Sequence, residues 1–339
     1  MDTFRRSLLL SPLALAAGGA LAQTPPPEAS LPRSKLKWPK PSVTIDLWPN
    51  GVTGQTHADM KEVVEETSKD PHINFRRVQG ITRPRMAVFP ASKPNGSAML
   101  IIPGGGFIWN YFDHEGYQLA DILNAQGITC FVLFYRLAQD GWDNPATVGA
   151  ADAQRAMRLI RSHAPQFKLD PARVGVIGFS AGGFLTASLA TRHAASFYTP
   201  VDAADSLDAR PFIAAPIYAV QSVDPAYAYG DIGRVLFDTK VTPDIIQTWS
   251  PDRNVDAHTP PVFLVHTEVD DAVPVANAFH LRDACKAQGV TVETHVFAEG
   301  RHGFGVTATP DQPCHIWPQL FVNFARSQGL MGKTAKAGA

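Results

Sequence analysis

An α/β fold, with a mostly parallel sheet covered by helices on both faces and a small cap insertion, is predicted by three features of the sequence. Near-continuous apolar runs at 98–102, 128–135, 174–179, 212–217 and 262–266 have the pattern of strands buried on both faces. Segments with apolar residues at helical spacing separate these runs, so strand–helix–strand units repeat along the chain. The stretch 224–249 interrupts the alternation with Tyr227, Tyr229, Trp249 and a helical pattern over 243–249, which marks the insertion.

The helices follow in order. Residues 114–125 place Leu119, Ile122 and Leu123 on one face. Residues 145–164 do the same with Val148, Ala156, Leu159 and Ile160, and keep Arg155, Arg158 and Arg161 on other faces. Helices over 181–193 and 274–288 each follow a strand. The last strand, 290–298, alternates polar and apolar residues, and a closing helix over 315–327 presents Ile316, Leu320 and Phe324.

The 339 residues carry 30 Lys and Arg against 31 Asp and Glu, with 45% hydrophobic residues. That is material for a large core and excludes general disorder. A net charge of −1 without a basic run argues against a nucleic-acid binder. At the start, Arg5-Arg6 precedes an apolar run over 8–22 that is shorter than the ~20 residues of a membrane span. The run ends in Ala20-Leu21-Ala22, a small-residue cleavage signature. Residues 1–22 are therefore expected to be a signal peptide, by the general or the twin-arginine route. The mature protein is expected in the periplasm or outside the cell, with no membrane segment. Residues 23–41, with six prolines, read as an extended lead-in, 42–330 as one domain and 331–339 as a frayed tail. Three cysteines leave at least one thiol unpaired; Cys130 reads as a buried small hydrophobe, and Cys285 and Cys314 are the two available to pair.

The strongest chemical signal is Gly178-Phe179-Ser180-Ala181-Gly182-Gly183, between the strand 174–179 and the helix 181–193. A sharp strand-to-helix turn of small residues lifts a serine hydroxyl out at the carboxyl edge of the sheet. The helix start behind it favours developing negative charge. Such a serine needs a base and an orienting acid. His302, in Glu299-Gly300-Arg301-His302-Gly303-Phe304-Gly305 after the last strand, is placed to reach back over the strand ends. His266 and His295 lie within strands and His315 opens the last helix, so structural roles are expected for them. The loop Thr267-Glu268-Val269-Asp270-Asp271-Ala272-Val273-Pro274 offers Asp270, Asp271 and Glu268 as acids; the unused aspartate is expected to cap the helix beginning near Pro274. After the strand 98–102, Pro103-Gly104-Gly105-Gly106-Phe107 leaves backbone amides free to converge with that of Ala181 on an oxyanion. Phe107, Trp109 and Tyr111 follow, placed to line an acyl pocket or stack on a sugar. The three cysteines do not have zinc-site spacing.

Together, Pro103–Phe107, Gly178–Gly183, Asp270-x-x-Val273-Pro274 and Gly300-x-His302-Gly303-Phe304 resemble the α/β-hydrolase superfamily. More narrowly, the chain is similar over about 42–328 to the secreted bacterial acetyl-xylan esterase-like and feruloyl-esterase-like branch. The similarity includes Thr44-Ile45-Asp46-Leu47-Trp48-Pro49 and the strand ending at His266. The acid in that family stands four residues before the proline, which selects Asp270 beside Ser180 and His302. The resemblance places the oxyanion donors at Gly105, Gly106 and Ala181. Hormone-sensitive-lipase-like relatives have a histidine before the three glycines; Pro103 sets this chain apart from them. Asp152 and Arg155 match a recurrent motif and are expected to be structural anchors.

The resemblance implies an exported serine carboxylesterase that needs no metal or organic cofactor. Its expected substrates are small esters or acetylated carbohydrate, xylan above all. A feruloyl or general small-ester esterase, a prolyl-oligopeptidase-like peptidase and a non-catalytic binding protein are the alternatives.

Overall fold

All five apolar runs named above form strands in which every residue is buried; the run over 128–135 is shortened by one residue at each end and that over 212–217 by two at its start. In the computed structural model, which describes residues 40–332 apart from 58, 70–73, 228, 229, 231 and 308–310, these strands form the middle of an eight-stranded sheet. In chain order the elements are β1 (Val43–Asp46), β2 (Val63–Glu66), β3 (Arg76–Gln79), β4 (Arg85–Phe89), β5 (Ala98–Ile102), α1 (Gln118–Asn124), β6 (Thr129–Phe134), α2 (Pro145–Ser162), α3 (Ala164–Phe167) and β7 (Val174–Phe179). There follow α4 (Ser180–Arg192), β8 (Ala214–Ile217), α5 (Ile232–Phe237), α6 (Pro243–Trp249), β9 (Val262–Thr267), α7 (Ala276–Ala287), β10 (Val292–Phe297) and α8 (Trp317–Ser327).

The sheet order is β1-β4-β6-β5-β7-β8-β9-β10, parallel from β6 to β10. From β5 the chain crosses to β6 on one side, then returns to β7 on the other. The sheet's direction of growth therefore reverses between β5 and β7. Crossover connections leave a crevice at such a switch point, outside the carboxyl ends of the strands. The three-glycine loop follows β5 and Ser180 follows β7, so the topology alone brings them together.

The antiparallel strands β1 to β4 were not expected from the apolar pattern. β2 and β3, VVEE and RRVQ, form a separate two-stranded ribbon, while β1 is a half-exposed edge strand paired with β4. None of β1, β2 and β3 has a buried run. The expected helix over 114–125 begins as a π-helical turn, Asp113–Tyr117, before continuing as α1. Such turns carry one extra residue and are frequent at functional sites.

Asp152 and Arg155 are fully buried in α2, and each anchors a different neighbour. Asp152 accepts from the Trp48 indole (2.8 Å), the Arg136 amide (2.8 Å) and the Arg136 guanidinium (2.8 Å). Arg155 donates to the Leu47 carbonyl (3.0 Å) and grips Asp202 and Asp205. They thus tie the segment after β1 to the core. Cys130, Cys285 and Cys314 are all buried free thiols, which rules out the Cys285–Cys314 pair in this fold. The segments expected to be signal peptide, lead-in and tail lie outside the described residues except for 40–41 and 331–332, as does Tyr229.

Candidate active site

Ser180 is the first residue of α4 and has φ of +49°, a left-handed conformation costly for a residue with a Cβ. The turn is enforced by close packing. A Cβ on Gly182 would collide with the carbonyls of Ile102 and Pro103, so only glycine lets α4 approach the end of β5. The strained turn pushes the hydroxyl into the crevice.

His302 Nε2 lies 2.8 Å from Ser180 Oγ, and His302 Nδ1 lies 2.8 and 3.0 Å from the two oxygens of Asp270. A carboxylate only accepts, so the proton sits on Nδ1 and leaves Nε2 free to accept from the serine. Asp270 is itself held on every side. It accepts the amides of Ala272 (2.9 Å) and Val273 (2.7 Å), and His266 Nε2 lies 3.1 Å away while also donating to the Val273 carbonyl (2.9 Å). Burial opposes its charge, but the bonds from His266, His302 and the Val273 amide outweigh that and hold the carboxyl well below the usual range. His266, expected to be merely structural, therefore orients the acid.

Asp271 does not cap α7 as expected. It pairs with Arg301 at 2.8 Å and accepts the His302 amide at 3.4 Å, tying the histidine loop to the acid loop from the exposed side. Asp270 itself accepts the amides of the turn leading towards α7. His295 bonds Glu293 on the edge strand, and His315 bonds the Gln312 carbonyl at the surface, both away from the crevice.

The three glycines divide their work. The Gly104 amide is committed to the buried carboxylate of Glu115 at 2.7 Å. Gly105 and Gly106 have φ of +131° and +65°, and with Ser180 and His302 they line a cavity of about 300 Å³. The carbonyl of Gly105 accepts the amides of Ile108 (3.1 Å) and Trp109 (3.0 Å), which holds the loop rigid. Ala181 is the second residue of α4, next after the serine, where a first-turn amide has no partner within the helix.

The three sequence-selected aromatics separate. Phe107 is buried edge-to-face on Phe184 and, with Val220, Ile232 and Val235, lines a pocket of about 40 Å³ beside Ser180 and Ala181. Ile232 and Val235 come from α5, within the insertion. Tyr111 lines the larger cavity with Phe75 and His114. Trp109 lines neither; its ring lies 3.7 Å beneath the Arg77 guanidinium, which also donates to the Tyr111 hydroxyl at 2.9 Å. Phe75, His114, Glu115, Tyr218 and His266 were absent from the sequence-selected site. Only the small-residue spacing around 103–107 hinted at what packs beneath the loop. Among the described residues, no group of three or more His, Cys, Asp or Glu side chains converges to hold a metal.

A serine hydroxyl, an imidazole with its proton on Nδ1, a buried carboxylate and the glycine-loop amides around one cavity form the arrangement that acyl transfer requires. Similarity to known proteins is consistent with this arrangement. The family model BD-FAE matches residues 88–285. The chain is 30% identical over 225 residues to an acetylxylan esterase of Xylanibacter ruminicola, covering 65% of this chain and 44% of that protein. It is 28% identical over 253 residues to endo-1,4-beta-xylanase B of Butyrivibrio fibrisolvens, covering 75% and 39%. The chain thus spans less than half the length of these two relatives. Among solved structures, an acetyl ester-xyloside bifunctional hydrolase from Caldicellulosiruptor lactoaceticus superposes with a TM-score of 0.69 at 29% identity, covering 88% of this chain and all of that one.

Proposed function

The chain belongs to the BD-FAE family, within the α/β-hydrolase superfamily, and on that premise we propose that it is an exported serine carboxylesterase removing acetyl groups from xylan or its oligosaccharides. The observation that carries this reading is the line Ser180–His302–Asp270 with both bonds to His302 at 2.8 Å.

His302 Nε2 takes the serine proton as Oγ attacks the ester carbonyl. The carbonyl π electrons move to oxygen, and the oxyanion lies against the amides of Gly105, Gly106 and Ala181. As the intermediate collapses, the C–O bond to the alcohol breaks and His302 returns the proton to the departing oxygen. Water then attacks the acyl-serine by the same route, releasing the carboxylic acid. Asp270 stabilises the imidazolium at each stage.

The two cavities support an arrangement of the two halves of the ester. The group leaving must lie beside His302, which protonates it, and the larger cavity contains His302 and Gly303. The acyl group then points to the other side, into the pocket of about 40 Å³ closed by Phe107, Val220 and α5. One water needs ~10–15 Å³ on this measure, so the pocket has room for only a few heavy atoms. An acetyl methyl fits and a feruloyl ring does not. Acetylxylan esterase and an acetyl ester-xyloside hydrolase among the similar proteins support xylan as the alcohol part. The segment 1–22 supports export.

The test is to measure acetate released from acetylated xylo-oligosaccharides against ferulate released from feruloylated ones. Acetate release abolished by Ser180→Ala, with ferulate release at least ~100-fold slower, is expected from the difference in fit. Faster ferulate release would overturn the acyl assignment.

A further inference from the structure

Glu115 is nearly completely buried, 3% exposed, and among the described residues no cation lies within hydrogen-bond distance of it: the His114 ring is 3.8 Å away. The π-helical turn directs it under the site. One oxygen accepts the Gly104 amide at 2.7 Å, and the other accepts the Tyr218 hydroxyl at 2.7 Å. Tyr218 Oη in turn accepts the Gly305 amide at 2.9 Å, so its own proton must go to Glu115. With both oxygens receiving donors, the bonding fits an ionised carboxylate. Burial pushes the carboxyl up, against the opposing bonds from Tyr218 and Gly104.

Tyr218 is fully buried just after β8, with φ of +36°. Its ring packs edge-on against His302, with centroids 5.1 Å apart, and against Phe304 at 4.6 Å. The chain Gly104–Glu115–Tyr218–Gly305 thus links the loop that carries the oxyanion donors to the loop that carries the base. A buried polar group and a strained tyrosine are costly features that a loop-closing hydrophobic contact would avoid.

We propose that Glu115 and Tyr218 are positioning residues that hold the oxyanion loop and the histidine loop in mutual register. The proposal rests on the esterase reading of the same site. Glu115 borders the cavity, but its oxygens are committed to Gly104 and Tyr218, and neither residue hydrogen-bonds Ser180, His302 or Asp270. Both act through the loops: Glu115 fixes Gly104, next to the donor Gly105, and Tyr218 fixes Gly305 and the His302 ring.

The test uses Tyr218→Phe, Glu115→Gln and the double variant in the full chain. Tyr218→Phe removes one hydroxyl from a ring that keeps its packing. Glu115→Gln keeps an acceptor for Gly104 but turns a donor towards the Tyr218 hydroxyl. Each is expected to lower kcat on p-nitrophenyl acetate ~10- to 100-fold with KM within about threefold, because alignment is lost in the transition state. The double variant should fall no further than about threefold below the worse single one, as members of one chain are not additive. A kcat within threefold of wild type for Tyr218→Phe, a loss confined to KM, or multiplicative effects would each overturn the proposal. Hydrogen–deuterium exchange supplies a readout independent of turnover. Tyr218→Phe should speed exchange in peptides containing Gly104 as well as Gly305, whereas acceleration at Gly305 alone contradicts the link. If the wild type shows no Ser180-dependent turnover, the esterase reading fails while the exchange result still decides the link. If Glu115→Gln does not fold, Tyr218→Phe alone carries both measurements.

Discussion

Replacing Asp270 by Asn exchanges one carboxylate oxygen for an NH₂ group, and the surrounding bonds decide which one. The Ala272 and Val273 amides, at 2.9 and 2.7 Å, both meet Oδ1 and are donors without alternative. The asparagine must therefore keep its oxygen there, which puts NH₂ at the Oδ2 position. That position faces His302 Nδ1 at 2.8 Å and His266 Nε2 at 3.1 Å. Two donors cannot face each other, so His302 accepts on Nδ1 and carries its proton on Nε2. The ring is then aimed at Ser180 with a hydrogen instead of a lone pair and cannot act as base. The equivalent substitution in a serine protease costs about 10⁴ in kcat, or roughly 5.4 kcal/mol of barrier. Steady-state hydrolysis of p-nitrophenyl acetate should show kcat reduced ~10³- to 10⁴-fold in Asp270→Asn. Asp271→Asn, which weakens an exposed pair with Arg301 and leaves an oxygen to accept the His302 amide, should stay within about threefold of wild type. Asp270→Asn within tenfold of wild type, or a larger loss in Asp271→Asn, would refute the assignment of the acid.

Two further outcomes follow from the packing and the ionisation of the site. Asp152→Ala leaves the mostly buried Arg136 guanidinium without its carboxylate and should lower unfolding stability by about 3–5 kcal/mol in urea titration; a change below 1 kcal/mol would contradict the anchor role. Because Asp270 is held below its unfolded value, its interactions contribute fully above the free-carboxylate pKa of about 3.9 and are lost as pH falls below it. The stability gap between wild type and Asp270→Asn should therefore narrow as pH drops below about 4. Urea midpoints measured at pH 7, 5 and 3.5 check this, and a gap that widens on acidification contradicts it.

The central strands were legible because each residue of β5, β6, β7 and β9 is buried, and burial on both faces leaves an unbroken apolar run. β2 and β3 were not, because a ribbon of VVEE and RRVQ is stabilised by cross-strand pairs such as Arg77 with Glu65, which leave no apolar signature. Ser180 and His302 were legible because their turns demand glycine-rich spacing. Asp270 and Asp271 are chemically equal as residues, and the family's acid-to-proline spacing selected Asp270; the direction of the turn, set by the Ala272 and Val273 amides, gives the physical reason it is the one facing His302. Glu115, Tyr218 and His266 had no local signal at all. Their partners lie 4 to 103 residues away, and the longest of these contacts, Glu115 with Tyr218, exists only once the sheet has formed.

The central claim, that Ser180 is the nucleophile, is tested most directly by trapping it. Incubation with diethyl p-nitrophenyl phosphate followed by peptide mapping should place a single phosphoryl adduct on Ser180, with esterase activity lost in proportion to labelling. An adduct elsewhere with activity lost in step, or full activity in a protein labelled at Ser180, would contradict the account.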